Sequence, residues 1–400
     1  MLDTSISPRI IDLFPNDSQK PIVSAFLFSK EHSHVAKMFW QHTGEGISSR
    51  RAEYCSKAFY EGRLSATRTL NRQNATKVGS TILCKGPRRY QKHNSMDTTL
   101  SCEAIDQPGE VPNQPRDHAQ FVEERFGRNL DKSLSDSAKL AIRRRIAGAL
   151  TANVDLSEAL RLSHPPTRTA SVDGFSEDDV YLYSCGMNAI FHAHNMMMAC
   201  KGNLKSVSYG FPYTDTLKIL EKFGPGCQFY GYGSDEELDD LEKRCEAGER
   251  FLAVFCEFPG NPLLQTPNLP RIRSLANHYG FAVVVDETIG NFFNVHVLPY
   301  ADIVVSSLTK VFTGECNVMG GSMVLNPRQQ YYSRLKRILN LSYEDNYWPE
   351  DAIFMERNSR DFVTRIKRIN ENAEAICDAL IASPHGTVAS SHRMRNWADD

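Results

Sequence analysis

From Val180 onward, short apolar runs alternate with amphipathic stretches along the chain. Runs rich in β-branched and aromatic residues predict strands, and here they read "VYLYSC", "KSVSYG", "CQFYGYG", "FLAVFCEF", "FAVVVDE", "ADIVVSSL" and "GSMVLN". Stretches between them, such as "DEELDDLEKRCEAG" and "NLPRIRSLANHYG", have the pattern of helices. This alternation predicts an α/β fold in which helices cover both faces of a mostly parallel sheet.

An amphipathic helix is predicted before this region, in "LSDSAKLAIRRRIAGAL". Its apolar residues recur every four positions, which is typical of a helix with one buried face; they are Ala138, Ile142, Ile146 and Leu150. Ser135 or Ser137 is suited to the N-cap. The arginines from Arg143 to Arg145 fall between the apolar positions. We therefore expect them on the solvated face, with an intersubunit or phosphate contact as the alternative.

The first 60 residues mix the apolar run "PIVSAFLFS" with the aromatic and basic "KMFWQHTGEGISSRR". They predict a partly folded segment, although they contain no motif that indicates chemistry. From about Gly62 to Asp117 the composition becomes polar, with Pro, Asn and Gln in "GPRRYQKHNSMDTT" and "DQPGEVPNQPRD". That composition predicts a linker or a long surface excursion.

Charge and cysteine content favour a small-molecule ligand. With 46 Lys and Arg against 48 Asp and Glu, the chain has no strong net charge to attract nucleic acid or a membrane surface. It contains no run of about eighteen apolar residues, and its first residues lack the basic-then-apolar order of a signal peptide. We therefore expect a soluble cytoplasmic protein. The 10 cysteines show neither a CxxC pair nor metal-ligand spacing, which is typical of thiols in a reducing compartment.

Polar residues follow several of the predicted strands, and ligands of such sheets bind beyond the carboxyl ends of the strands. In "VYLYSCGMNAIFHAH" a strand meets Gly186 and Met187 and then a helix. Backbone N–H groups at a helix start bind phosphate, but strand, glycine, helix is also a common structural turn. Asp286 ends the apolar run "FAVVVDE", where it is either functional or a cap of the following turn.

A third strand end carries hydroxyls and an amine, in Ser307, Thr309 and Lys310. Alone, such a lysine is often a solvated strand terminus. Together, an anion-binding turn, a carboxylate and a lysine meet the needs of pyridoxal phosphate, which requires phosphate donors, a partner for its pyridine nitrogen and a lysine for its aldehyde. A nucleotide-binding α/β protein is disfavoured, because GxGxxG and GxxxxGK[ST] are both missing.

Four segments resemble the Cys/Met-metabolism pyridoxal-phosphate enzymes, and within them the fungal cystathionine γ-synthase branch. They are "LYSCGMNAIFHAH", "CEFPGNPLLQTPNLPRI", "VVVDETIGNFFNV" and "SSLTKVFTGECNVMGGSMVLNP". The resemblance runs from about Phe121 into the low 390s. It implies the type I fold of pyridoxal-phosphate transferases, with a mostly parallel seven-stranded sheet between helices.

The resemblance also implies a role for each matching residue. Lys310 would form the Schiff base and shuttle protons, and Asp286 would pair with the ring nitrogen. Tyr213 would stack on the ring and take part in catalysis, although it could be an ordinary loop tyrosine. Asn261 would contact the ring oxygen, with a turn-forming Asn-Pro as the alternative. The phosphate contacts would come from Gly186, Met187, Ser307, Thr309 and, across a subunit boundary, Arg128.

Two features depart from the family pattern. The family's Y-x-R arm is matched by "EERFGRNL", in which Phe126 stands where a tyrosine is usual, two positions before Arg128. The chain also ends at Asp400, earlier than the family's small C-terminal domain would.

We expect three parts of the chain: an N-terminal extension with its linker at residues 1–118, a cofactor-binding domain with its arm at 119–365, and the start of a truncated C-terminal domain at 366–400.

The reaction implied is γ-substitution, in which an O-acylhomoserine and cysteine give cystathionine in methionine biosynthesis. Amino-acid substrates and assembly into a homodimer or homotetramer follow from the same resemblance. Two alternatives remain at this point: a truncated, non-catalytic paralogue that acts as a partner subunit, and a related enzyme of γ-substitution or elimination in secondary metabolism.

Overall fold

A computed structural model describes residues 9–16, 18, 20–66, 132–148, 153–161 and 172–382 of the chain. Its main feature is a seven-stranded sheet in the order β4-β10-β9-β8-β7-β5-β6. The strands of this sheet are β4 (Val180–Tyr183), β5 (Lys205–Tyr209), β6 (Cys227–Tyr230), β7 (Phe251–Glu257), β8 (Ala282–Asp286), β9 (Ile303–Ser307) and β10 (Gly321–Leu325). Strand β10 runs antiparallel to both of its neighbours, and β9 through β6 are parallel.

Helices cover both faces of this sheet. In chain order the helices of the described residues are α1 (Ser33–Thr43), α2 (Ser49–Tyr60), α3 (Ser135–Ala147), α4 (Leu156–Arg161), α5 (Gly186–Lys201), α6 (Thr214–Lys222), α7 (Asp235–Glu246), α8 (Leu269–Tyr279), α9 (Tyr332–Ser342), α10 (Pro349–Asn358) and α11 (Phe362–Ala382). One core cluster joins a sheet face to α5, α6 and α9, and a second joins the other face to α3, α7, α8, α10 and α11. The predicted fold class is confirmed.

The central strands show why the pattern predicted them well. Every residue from Phe251 to Cys256 in β7 is buried, as is every residue of β8 before Asp286. Alternate residues face opposite core clusters, with Val254 in one and Phe255 in the other. A strand packed on both faces needs a continuous apolar run, and the chain supplies one at each of these positions.

In helix α3 the prediction that the arginine triplet lies on the solvated face is wrong for Arg145. Ala138, Ile142 and Ile146 are fully buried as expected, but Arg145 is also buried, with 1% of its surface exposed. Its Nη2 donates to Glu356 Oε1 of α10 at 2.9 Å. Arg145 lies seven residues after Ala138 and therefore belongs to the same helical face. An ion pair with α10 allows that face to include a charge.

The first described part of the chain, residues 9–16, 18 and 20–66, is called here the N-terminal segment and forms a small sheet of its own. Strands β1 (Arg9–Pro15), β2 (Val23–Leu27) and β3 (Leu64–Ser65) make a three-stranded antiparallel sheet in the order β2-β1-β3. Helix α1 contacts α5 and α6 of the large sheet's helical layer. The segment therefore packs on the region that contains the predicted site.

No helix in the described part of the chain is long and apolar enough to cross a membrane. In the same residues, no cluster of His, Cys, Asp and Glu could hold a metal ion. The domain boundary predicted at residues 118/119 lies outside the described residues. The boundary predicted at 365/366 falls inside the continuous helix α11, and the predicted domain limits stay a prediction.

Candidate active site

A cavity of about 630 Å³ opens at the carboxyl ends of β4, β7, β8 and β9. Eight of the sequence-predicted residues line it: Gly186, Met187, Tyr213, Asn261, Asp286, Ser307, Thr309 and Lys310. Its size is within the range of roughly 300–1,000 Å³ that small-molecule sites occupy. The structure therefore brings together residues that are up to 124 positions apart, from Gly186 to Lys310 (310 − 186).

The turn before helix α5 is shaped by close backbone packing, and we call it the anion site because a helix start stabilises negative charge. Helix α5 begins at Gly186, so the N–H groups of its first turn have no partner within the helix. A Cβ atom on Gly186 would lie 2.7 Å from Ser307 Cβ, and one on Gly321 would lie 2.1 Å from the Cys185 carbonyl oxygen. Only glycine fits at either position, and the Ser307 side chain consequently lies against the helix start, where an anion is stabilised.

Asp286 is held by a residue that the sequence analysis did not identify. Its Oδ1 accepts hydrogen bonds from the N–H and the hydroxyl of Thr288, at 2.9 and 2.6 Å. The Thr288 hydroxyl also accepts from the Ser307 N–H at 2.8 Å. Thr288 thus links the carboxylate to the anion site. Loss of water around Asp286 raises the pKa of its carboxyl, and the hydrogen bonds from Thr288 oppose that rise.

Thr309 and Lys310 follow β9 in a turn. The Thr309 hydroxyl exchanges hydrogen bonds with the backbone of Gly320, donating to its oxygen at 3.3 Å and accepting from its N–H at 3.1 Å. Lys310 is exposed at the cavity. Its ammonium makes no ion pair within 4.0 Å among the described residues. An unpaired amine in an open cavity is available for a ligand.

Glu257, a second residue that the sequence analysis missed, ends β7 beside Asp286 in the register of the sheet. Its Oε1 accepts the backbone N–H of Tyr213 and its Oε2 accepts that of Asn261 at 3.4 Å. Burial and the charge of Asp286 raise the pKa of Glu257 to about 7. Burial and Asp215 raise the pKa of the Tyr213 phenol. Glu257 therefore positions the backbone of two predicted ring-contacting residues.

We expect Glu257→Gln to stabilise the protein above neutral pH and not below pH 4.5. The unfolded chain releases the Glu257 proton near its usual pKa of 4.5, whereas the folded protein holds it to about 7. The stability that the protonated Glu257 contributes is fully present below pH 4.5 and is lost as the pH rises through 7. The wild-type free energy of unfolding therefore falls by up to about 3 kcal/mol over this range. Urea unfolding at pH 4.5 and pH 8 measures the difference. Glu246→Gln, on the exposed end of α7, serves as the control, and equal stability of Glu257→Gln and wild type at pH 8 would contradict the shift.

The N-terminal segment forms part of the cavity wall, which the sequence did not indicate. Its lining residues are Trp40, Gln41, Gly44, Gly46, Ile47, Ser48 and Arg51. The adjoining part of the wall comes from the segment before and within α10, with Asn346, Tyr347, Trp348 and Asp351, and Arg51 Nη1 donates to the Asn346 oxygen at 3.2 Å. Arg128 and Phe126, the predicted arm residues, lie outside the described residues.

The residues present fit pyridoxal phosphate. The anion site, with a serine side chain against a helix start, matches a phosphate. Asp286 Oδ2 has no hydrogen-bond partner among the described residues, and burial raises the pKa of this carboxyl. A protonated ring nitrogen would donate a hydrogen bond to Oδ2 and would favour the charged carboxylate. Lys310 supplies the amine. All three groups line one cavity.

Comparison with known proteins gives the same result. A family model described as "Cys/Met metabolism PLP-dependent enzyme" matches residues 170–390, and one described as "Fungal trans-sulfuration enzyme, N-terminal domain" matches residues 2–48. A cystathionine gamma-synthase of Neurospora crassa is 53% identical over 91% of this chain and 60% of its own length. A cystathionine gamma-synthase-like enzyme of Amanita muscaria is 41% identical over 91% of this chain and 55% of its own.

The chain thus spans between half and two thirds of the length of these curated relatives. Among solved structures, a methionine gamma lyase from Micromonospora echinospora matches with a TM-score of 0.42 at 20% identity, over 51% of this chain and 54% of that one. The family model alone covers more than half of the chain and includes the eight sequence-predicted residues that line the cavity, from Gly186 to Lys310. The chain belongs to the Cys/Met metabolism family of pyridoxal-phosphate-dependent enzymes.

Proposed function

We propose that this chain carries the cofactor site of a γ-substituting enzyme of the cystathionine γ-synthase type, which joins an O-acylhomoserine to cysteine. The observation that carries the proposal is the placement of Lys310, Asp286 and the anion site in one cavity. The 53% identity to the Neurospora cystathionine gamma-synthase supports the choice of reaction within the family.

Each residue has a role that its position supports. Gly186, Met187, Ser307 and Thr309 would hold the phosphate at the start of α5, and Asp286 would keep the ring nitrogen protonated. Bound pyridoxal phosphate supplies an electron sink for negative charge on carbons next to the substrate's amino group. The Lys310 amine would take the proton from Cα and then from Cβ, which permits the acyl group to leave Cγ.

Tyr213 and Asn261 would fix the ring from the side of β7. The backbone of both residues is tied to the Glu257 carboxylate. We assign Tyr213 to ring stacking and Asn261 to the ring oxygen, as the resemblance implies. Arg128 would bind the phosphate held by a neighbouring subunit in a homodimer or homotetramer. We further propose that the enzyme is cytoplasmic and that its substrates are amino acids.

The test is capture of the cofactor by the purified chain. We expect added pyridoxal phosphate to give a yellow absorption band that borohydride removes, with the reduced pyridoxyl group located on the Lys310 peptide by mass spectrometry. The internal control is Lys201, whose pKa burial lowers to about 8 and which lies outside the cavity. Label on Lys201 or spread over exposed lysines, with none on Lys310, would contradict the proposed site.

If the cofactor is captured, the reaction is tested with O-acetylhomoserine and O-succinylhomoserine, each with cysteine. Formation of cystathionine supports the proposal. A chain that stays colourless in excess pyridoxal phosphate would instead favour the non-catalytic paralogue. A coloured chain that releases the acyl group without joining cysteine would favour an elimination reaction.

A further inference from the structure

A buried hydrogen bond joins the N-terminal segment to the helix that follows Tyr213. His42, in the last turn of α1, has its Nδ1 3.1 Å from Oδ1 of Asp215, in the first turn of α6. The two side chains expose only 9% and 10% of their surface. The neighbouring Gln41 donates from Nε2 to Asp215 Oδ2 at 3.3 Å. Two adjacent residues of α1 therefore hold both oxygens of this carboxylate.

Lys222, at the end of α6, fixes the direction of the bond between His42 and Asp215. Its Nζ lies 3.2 Å from His42 Nε2, and an ammonium group has hydrogen-bond donors but no acceptor. Nε2 must therefore accept, so the proton of the neutral imidazole is on Nδ1 and is donated to Asp215. His42 thus lies between an anion and a cation of the same helix.

Asp215 lies beside Tyr213 at the cavity. Both residues line it, and Tyr213 is the N-cap residue of α6. Burial, the charge of Asp215 and side-chain hydrogen bonding with Asp215 raise the pKa of the Tyr213 phenol. A phenol with a carboxylate as its neighbour keeps its proton and can donate it in a hydrogen bond. The carboxylate that α1 holds is therefore a partner of the tyrosine side chain.

The ring of Tyr213 depends on such a partner for its orientation. The residue exposes 54% of its surface, so packing alone does not fix the ring. Glu257 accepts the backbone N–H of Tyr213, but a backbone hydrogen bond leaves the side-chain torsions free to change rotamer. Asp215 restrains the phenol end of the side chain, and α1 in turn restrains Asp215.

We propose that His42 is a positioning residue for Tyr213, whose ring it orients toward the cofactor through Asp215. This inference rests on the proposed function, since that function assigns Tyr213 to ring stacking. A side chain that is already oriented loses less conformational freedom when a ligand binds than one that must first be ordered. The N-terminal segment then strengthens cofactor binding through a residue of the large sheet domain.

The test measures affinity for a cofactor analogue that cannot react with Lys310. Pyridoxine phosphate has the ring and the phosphate of the cofactor but a hydroxymethyl group in place of the aldehyde. Calorimetric titration into the purified, cofactor-free chain gives its Kd for the wild type, His42→Leu, Tyr213→Leu and the double variant. A well-placed aromatic contact is worth about 3- to 10-fold in affinity, and we expect His42→Leu to cost that much.

The double variant shows whether His42 acts through Tyr213. Tyr213→Leu is expected to cost at least as much as His42→Leu, because it removes the ring that His42 orients. In the Tyr213→Leu background, His42→Leu is expected to change the Kd by less than about twofold. The same cycle with Asp215→Asn in place of His42→Leu, which removes the charge between the two residues, is expected to give the same pattern.

Two further variants separate positioning from docking of the N-terminal segment. His42→Asn keeps an N–H donor near the place of Nδ1 and is expected to retain the wild-type Kd within about twofold. Glu45→Gln is the matched control, because Glu45 anchors the same segment to α5 and does not line the cavity. Any loss in Glu45→Gln is expected to be equal with and without Tyr213→Leu.

The outcomes distinguish this proposal from the proposed function. A loss from His42→Leu that persists in the Tyr213→Leu background would overturn the role of His42, because docking of α1 would explain it. An unchanged Kd in either His42→Leu or Asp215→Asn would also overturn it. If His42→Leu does not fold, as judged by circular dichroism, the Asp215→Asn cycle decides. Each of these results leaves the cofactor site standing, whereas failure of the wild type to bind pyridoxine phosphate would overturn the proposed function itself.

Discussion

Lys310→Ala is expected to abolish covalent capture of pyridoxal phosphate and to reduce turnover by at least about 10³-fold. The amine of Lys310 is the cavity's only lysine amine among the described residues, so no neighbouring lysine would replace it in the proposed roles of covalent anchor and base. General acid–base catalysis alone contributes roughly 10²- to 10⁴-fold. Borohydride trapping followed by mass spectrometry measures the first effect, and the rate of cystathionine formation measures the second.

The control for this change is Lys218→Ala. Lys218 lies on α6, the helix that follows Tyr213, and its ammonium pairs with Glu221 away from the cavity. We expect wild-type capture and turnover from this variant. A Lys310→Ala protein that still binds the cofactor covalently in the cavity would show that another amine does the chemistry.

Glu356→Ala is expected to lower the free energy of unfolding by about 3–5 kcal/mol, the usual cost of removing one partner of a buried ion pair. Glu356 and Arg145 expose 1% of their residue surface each. Without the carboxylate, the Arg145 guanidinium keeps the Glu356 backbone oxygen at 3.2 Å as an acceptor but has no counter-ion. Burial already lowers the pKa of Arg145, and Glu356 opposes that shift.

Urea unfolding monitored by circular dichroism measures this loss, with Glu374→Ala as the control. Glu374 is exposed on α11, where substitution usually changes stability by less than about 0.5 kcal/mol. A loss below about 1 kcal/mol in Glu356→Ala would show that Arg145 finds another counter-ion or reaches water.

The strand-end residues could be predicted because each interrupts an apolar run. Asp286, Ser307 and Lys310 follow buried strands whose carboxyl ends meet at one edge of the sheet. Glu257 gave the same signal in "FLAVFCEF" and was overlooked, although β7 and β8 are neighbours in the sheet. Thr288, two residues after Asp286, fits the local pattern in which an Asp side chain accepts from the residue two positions on.

The contribution of the N-terminal segment could not be predicted from the local pattern. Arg50 meets Asp351 across 301 positions, and Asn188 meets Glu45 across 143. Hydrophobic periodicity shows that a helix has a buried face but does not identify what covers it. For the same reason, the spacing in α3 gave the correct helix and the wrong environment for Arg145, whose partner is 211 positions away.

The antiparallel strand β10 has a consequence for the order of events during synthesis. Its residue Gly321 pairs with Tyr183 on one side and with Ser307 on the other, so β4 reaches the sheet only through a strand made much later. A ribosome-bound chain that ends before Gly321 contains β4 and β9 but lacks the strand that pairs with both of them. A nascent chain stalled before β10 is made therefore exposes the unpaired edges of β4 and β9 to chaperones.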